Sequence, residues 1–443
     1  MRFFDVSLNL LERYPLCDYC LGRQFALLGH GLTNSERGHA IKLSLAMDAH
    51  QSLLEKNQNS IKTLQTLATN GMLPLARQLL EEQGLDIKTT ESRCHICEGK
   101  FELIEELSKQ ALDKLSHYEF SSFLVGAEIP AEIENREDEV KALFELKWGE
   151  DIRNEISREI GKRITEGTAK RVEYKRPDIV VLVNPFSKSV SLKVNSIFIA
   201  GRYKKLVRGI PQAAWICRAC RGKGCQRCGG TGRMYQESVE GHIAAPILEV
   251  TGGSDEKIHA AGREDIDARA LGTGRPFIIE VKDPKKRHID LRGLQDKINR
   301  SARRKVRVTS LRQSSKDEVV RIKSVGQTEK TYRATIEFER AVSEGDLKRL
   351  ENSLTGLVIK QLTPTRVAHR RSNRVREKQI YEAKAKRLGP KRAELLMRCQ
   401  GGLYVKELVS GDDERTRPSV TEILKNPARC SKLDVLDVKM EGF

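Results

Sequence analysis

No apolar run in the 443 residues approaches the ~20 that cross a bilayer. The opening residues, Met1-Arg2-Phe3-Phe4-Asp5, do not have the charged-then-apolar layout of a secretory signal. A membrane is therefore not the expected partner, and a cytoplasmic setting is expected. The chain has no His-Glu-x-x-His, and no His-x-Glu accompanied by Pro-Cys-x-x-Cys. These absences remove zinc-protease and zinc-deaminase chemistry. A J-type His-Pro-Asp is missing too, which speaks against a zinc-finger co-chaperone. Positive charge, by contrast, is plentiful: Lys and Arg number 79 against 61 acids, a net +18, with a pI near 9.4. The default partner of such a surface is a polyanion, and nucleic acid fits better than a membrane. Hydrophobic residues at 39% argue against wholesale disorder, and the length allows two or three domains with real cores.

Eight of the ten cysteines fall into four Cys-x-x-Cys pairs. In a reducing compartment, thiolates two residues apart favour one tetrahedral zinc over disulfides. Cys217-Arg-Ala-Cys220-Arg-Gly222-Lys-Gly224 is followed at once by Cys225-Gln-Arg-Cys228-Gly-Gly230-Thr-Gly232, one eight-residue unit repeated back to back. Its glycines permit tight turns that aim backbone N–H groups at sulfur. Four thiolates with no open position imply a structural zinc rather than a catalytic one. Cys17 and Cys20 pair with Cys94 and Cys97 in a second expected site, closed only by folding. Cys399 and Cys430 stand alone and read as buried structural thiols.

Between the N-terminal pairs, Ile61, Leu64, Leu67, Leu75, Leu79 and Leu80 recur mostly at intervals of three and four, a helical pattern. From about Phe101 to Leu206 the reading is mixed α and β. Ile152, Ile156, Ile160 and Ile164 mark an amphipathic helix over Asp151–Ile164. Asp178–Val183 and Val190–Val194 read as strands, broken by Asn184-Pro185. Pro211 and the Cys-Gly-rich stretch after Trp215 mark a boundary, beyond which a second α+β domain runs onward. Its expected strands include Phe277–Val281, Val319–Val325 and Tyr332–Phe338, and its expected helices Glu344–Leu354 and Pro390–Arg398. In Arg374, Arg376 and Lys378 the alternation suggests one side of a strand facing phosphates, with Val375 turned inward. Further basic clusters lie at Pro284–Arg287 and Arg300–Lys305.

The run from His259 through Gly262-Arg263-Glu264-Asp265 to Gly274-Arg275-Pro276-Phe277 carries a resemblance. Its core resembles the Gly-Arg-x-Asp motif of pseudouridine synthases, and the longer run resembles the archaeal and eukaryotic "Pus ten" tRNA pseudouridine synthase family. Lys330-Thr331-Tyr332-Arg333-Ala334 is similar to that family's tyrosine-bearing strand. Gly401-Gly402-Leu403-Tyr404-Val405-Lys406-Glu407 resembles a Gly-Thr-Tyr-Ile-Lys/Arg strand, with Leu403 where threonine is common. Thr363–Arg371 also looks familial, and the paired Cys-x-x-Cys sets fit archaeal-type members.

The resemblance implies an α+β architecture: a zinc-tied helical part at 1–100, a THUMP-type RNA-binding module at 101–207, and a catalytic domain at 208–443. The catalytic domain has a mainly antiparallel central sheet and a zinc-knuckle insertion at 217–232. It further implies isomerisation of uridine to pseudouridine at positions 54 and 55 of the TΨC loop of tRNA. Asp265 is then the nucleophile, and its carboxylate either attacks the sugar carbon or removes a sugar proton to give a glycal, a choice the sequence leaves open. Lys406 is the cation that keeps it ionised, Tyr404 the ring on which a flipped uridine stacks, and Tyr332 a substrate contact from a neighbouring strand. Arg263 fills the gap left by the flipped base or grips a phosphate. The expected cofactor is structural zinc in one or two sites, with no organic cofactor. The expected partner is tRNA, with no membrane and no obligatory protein partner evident. The competing reading is a non-catalytic zinc-containing RNA-binding protein, which would need the basic face and the cysteines but no aspartate.

Overall fold

Ile152, Ile156, Ile160 and Ile164 are all buried along one face of the helix Ile152–Thr168, as intervals of four require. In the computed structural model, which describes residues 3–55, 59–85, 92–324 and 328–440, this helix belongs to the first of two units, divided between Asn195 and Ser196. Its sheet has four strands: β1 (Ser122–Ala127), β2 (Arg171–Val172), β3 (Ile179–Asn184) and β4 (Ser189–Val194). Their order is β2-β1-β3-β4; β1 runs parallel to β2 and β3, and β4 antiparallel to β3. Ile179, Val181 and Val183 alternate inward on β3. The helices Phe3–Arg13, Asn34–Leu54, Asn59–Thr69 and Pro74–Glu81 precede this sheet. One hydrophobic cluster runs from Leu10 to Val190, so the expected 1–100 part and the sheet share a core.

The second unit is built on ten strands. They are β5 (Ile197–Lys205), β6 (Asp255–Ala260), β7 (Ala268–Lys282), β8 (Val306–Ser314), β9 (Glu329–Phe338), β10 (Val358–Leu362), β11 (Val375–Gly389), β12 (Arg392–Gln400), β13 (Thr416–Arg417) and β14 (Ala428–Val438). Their order is β13-β10-β11-β12-β9-β14-β7-β5-β8, with β6 on β7. Every pairing is antiparallel except β14 with β7. The expected mainly antiparallel sheet is therefore present. The front module was expected to run to 207, but β5 pairs with β7 and β8 and belongs to the second unit.

Four local expectations differ from the structure. Arg392–Gln400 is strand β12, not a helix: Ala393, Leu395, Met397 and Cys399 alternate inward while β11 and β9 pair on either side. Lys316–Ser324 is a helix, in which Val319 and Ile322 bury at an interval of three; Val325 lies outside the described residues. Gly401–Tyr404 is a turn, with Gly402 at φ +94°, that leads into the short helix Val405–Ser410. Val375 is 61% exposed rather than turned inward; it stands at the start of β11, before β12 joins at Ile380.

Candidate active site and candidate metal centres

The segment Gly262–Asp265 links β6 to β7, close to where β7 meets β14 in the sheet's single parallel pairing. Its shape is set from beneath by a side chain that points away from the solvent. Glu264 is buried, with Arg275 Nε 2.8 Å from its carboxylate and the Tyr203 hydroxyl donating to it at 2.9 Å. Gln212 Nε2 donates to the Tyr203 oxygen at 2.7 Å and to the Gly262 carbonyl at 3.1 Å. Arg275 Nη1 donates to the Ala261 carbonyl at 2.7 Å. Lys205 Nζ donates to the carbonyls of Asp265 and Ile266 at 3.1 and 2.9 Å. Burial pushes the Lys205 ammonium down to about 8. The Glu264 carboxylate and the carbonyls of Ala261, Gly262, Asp265 and Ile266 are thus engaged, and the next side chain, Asp265, lines a cavity.

That cavity, about 630 Å³, is lined by Asp265, Tyr332, Tyr404, Lys330, Arg366 and Lys406 among others. Arg366 Nη1 donates to Asp265 Oδ1 at 3.1 Å, and Lys406 Nζ stands 3.4 Å from Oδ2. Lys406 is shared: it donates to both carboxylate oxygens of Asp267 at 2.7 Å. Partial burial disfavours the Asp267 carboxylate, but Lys406 outweighs it and holds the group below its usual range. Arg366 also donates through Nε to Glu407, which is buried. Desolvation works against the Arg366 charge, yet Glu407 and Asp265 together hold its pKa above the ordinary value. Asp265 is thus flanked by two cations, one on each carboxylate oxygen.

Tyr404 projects from the turn, its backbone fixed by Gln361: Tyr404 N donates to Gln361 Oε1 at 2.8 Å and Gln361 Nε2 to Tyr404 O at 3.0 Å. The Arg366 guanidinium carbon lies 5.9 Å from the Tyr404 ring centroid. Tyr332 enters from β9 and is buried, which raises its phenol pKa. Lys330, two residues earlier, has its ammonium pushed down to about 8 by burial and by Arg275.

Asp265, Tyr332, Tyr404, Arg263 and Lys406, singled out from the sequence, therefore line one cavity. Arg263 is exposed and lies 5.9 Å from the Trp215 ring centroid. Arg371, Arg374, Arg376 and Lys378 border the same cavity, so the basic stretch does face it although Val375 does not turn inward. Sequence reasoning did not single out Arg366 as a partner of Asp265, nor the Glu264–Arg275–Tyr203 support. Arg366 stands in the familial segment Thr363–Arg371, but its partner is 101 positions away. Glu264 occupies the variable place of the motif, and nothing local marks it as buried.

Both cysteine quartets assemble, the sulfurs of each lying within 4.8 Å of one another. A tetrahedral zinc with Zn–S bonds of ~2.3 Å has sulfur–sulfur edges of roughly 3.8 Å. Cys217–Cys225 and Cys220–Cys228 stand at 3.8 Å, Cys225–Cys228 at 3.7 Å and Cys17–Cys97 at 3.5 Å. The N–H groups of Cys225 and Gly232 point at Cys228 Sγ from 3.2 Å, the backbone support that a thiolate ligand receives. Arg23, buried and paired with Glu137 and Glu155, donates to Cys20 Sγ at 3.3 Å. Donor type, spacing and surrounding donors all fit zinc. Neither quartet lines the cavity at Asp265; each offers four thiol sulfurs that could hold a metal ion.

Among the described residues no helix is long and apolar enough to cross a membrane. Residues 198–439 match the family model described as "Pus10, C-terminal", and residues 107–184 the one described as "Pus10 THUMP domain, archaeal". The chain is 43% identical over 436 residues to a "tRNA pseudouridine synthase Pus10" of Methanothrix thermoacetophila, covering 98% of this chain and 94% of that protein. It is 42% identical, at the same coverage, to the protein of that name from Methanocaldococcus jannaschii. A third, from Methanothermobacter marburgensis, is 42% identical across 98% of this chain and 97% of its own length.

Proposed function

This chain belongs to the Pus10 family of tRNA pseudouridine synthases, and on that premise we propose that it isomerises uridine to pseudouridine in the TΨC loop of tRNA, at positions 54 and 55, with Asp265 as nucleophile. The observation that carries this reading is the Asp265 carboxylate, held between Arg366 and Lys406 at the edge of a cavity that also contains two tyrosines. The reaction breaks the N1–C1′ bond, turns the base and joins C5 to C1′, conserving atoms and electrons. It needs a carboxylate aimed at the sugar, and Arg366 and Lys406 hold the Asp265 carboxylate in place.

The target uridine has to leave its stack to reach Asp265. The Tyr404 ring, fixed by Gln361 and braced by Arg366, is the face against which the flipped base lies. Its hydroxyl assists removal of the C5 proton, and Tyr332 contacts the base from β9. Arg263, exposed beside the nucleophile, occupies the gap in the RNA or grips a phosphate. Lys406 orients Asp265 while anchored on Asp267. The module matched at 107–184 holds the tRNA body, and the zinc quartets keep their segments folded.

Position is tested with unmodified tRNA transcripts and chemical mapping of pseudouridine. Modification at 54 and 55 supports the reading. Modification elsewhere contradicts the assigned positions, and none in any tRNA favours a non-catalytic RNA-binding protein.

A further inference from the structure

The second cysteine quartet closes a hairpin whose stem meets Arg263, a residue that lines the candidate active site. Cys217 N donates to Gly232 O and Met234 N to Trp215 O, both at 2.8 Å, and Ile216 bridges to Arg233 between them. On this stem Trp215 and Tyr235 meet edge to face, their centroids 5.6 Å apart. The Arg263 guanidinium stands over Trp215, and Arg263 itself lines the cavity two residues before Asp265. Ile216, Met234 and Tyr235 are all exposed. A purely structural zinc hairpin needs none of these large side chains at its surface, and a cluster of large apolar side chains left in water marks a binding face.

Charge identifies the occupant. Residues 217–233 contain Arg218, Arg221, Lys223, Arg227 and Arg233 and no acid. All five are exposed, and among the described residues none makes an ion pair with an acid. A concentration of cations beside one exposed ring, Tyr235, and one half-buried ring, Trp215, suits unpaired RNA, whose bases stack while its phosphates meet the cations. The surface is continuous, through Arg263, with the cavity into which a uridine must be turned.

We propose that the hairpin closed by Cys217, Cys220, Cys225 and Cys228 is an RNA-contacting wall, on which Trp215 and Tyr235 stack an unpaired nucleotide neighbouring the target uridine. This rests on the proposed function, since it takes the occupant to be the same RNA. Zinc then serves recognition indirectly, by fixing the stem that carries the rings.

The chain has two tryptophans, Trp148 and Trp215, so Trp148→Phe leaves Trp215 as the single indole reporter. Saturating unmodified tRNA should quench or shift its emission. Tyr235→Ala and Trp215→Ala should raise KM for tRNA roughly fivefold or more, the equivalent of about 1 kcal/mol of stacking, with kcat far less changed. Trp215→Phe, which keeps a ring, should restore most of the loss. Zinc content is measured for every variant; where Trp215→Ala sheds metal, Tyr235→Ala and Trp215→Phe carry the comparison. Trp215 emission that stays constant while tRNA is bound and modified, with KM unchanged in Tyr235→Ala, overturns this inference alone. A chain that neither binds nor modifies tRNA overturns it together with the proposed function.

Discussion

Glu264 shows how much of the site is decided one residue away from the group that reacts. Its buried carboxylate faces Arg275, itself buried, so removing one charge strands the other without water. Glu264→Gln should cost about 3–5 kcal/mol in denaturant unfolding, the range for breaking a buried pair. Activity should fall as well, although Asp265 is untouched. Unchanged stability would mean that the turn is held by other contacts. Lys330 makes a pH-dependent contribution. The unfolded chain keeps its proton up to about 10.5, whereas the folded chain releases it at about 8. Between those values the unfolded state binds more protons, so stability from this group rises with pH. Lys330→Met should therefore stabilise the protein at pH 7, by up to about 3 kcal/mol, and by progressively less from pH 8 to 10.5. A pH-independent difference would contradict the burial argument. At this scale the contiguous motif residues Asp265, Tyr332, Tyr404 and Lys406 were legible in sequence. Arg366 and the supports of Glu264 were not, because such partners become neighbours only through the sheet.

Elements were legible where one periodicity ruled. The helix Ile152–Thr168 and strand β3 each bury one clean face, and the helix Glu344–Leu354 begins with a Ser343/Asp346 capping box. Reading failed where local preference opposed tertiary pairing. Ala393-Glu-Leu-Leu-Met-Arg is rich in helix formers, yet β9 and β11 claim it from both sides. Val319-Val320 has a strand's composition and sits in a helix. The segment around Tyr404 shares residues with a strand motif but turns at Gly402 instead. Gly272 is the element-scale test. It sits where β7 leaves β14, at φ +56°, and a Cβ there would meet the Leu436 carbonyl oxygen at 1.9 Å. Gly272→Ala should destabilise the second unit by about 3 kcal/mol from overpacking and backbone strain. Thermal unfolding checks it, and a neutral result would show that the two strands can part without cost.

For the whole chain, composition already pointed to a polyanion, and both cysteine quartets assembled as their spacing suggested. The unit division was less legible, because β5 precedes the Pro211 and cysteine signals that looked like a boundary yet pairs beyond them. Metal analysis should give two zincs per chain, with one lost in Cys17→Ser and one in Cys217→Ser; unchanged zinc in both would refute the two sites. The central claim is that Asp265 does the chemistry. Asp265→Asn keeps the side chain's size and removes the charge held by Arg366 and Lys406. The most direct measurement is tritium release from C5-tritiated uridine in unmodified tRNA. Wild type should release label while Asp265→Asn binds the tRNA and releases none; release at the wild-type rate by the variant would contradict the assignment.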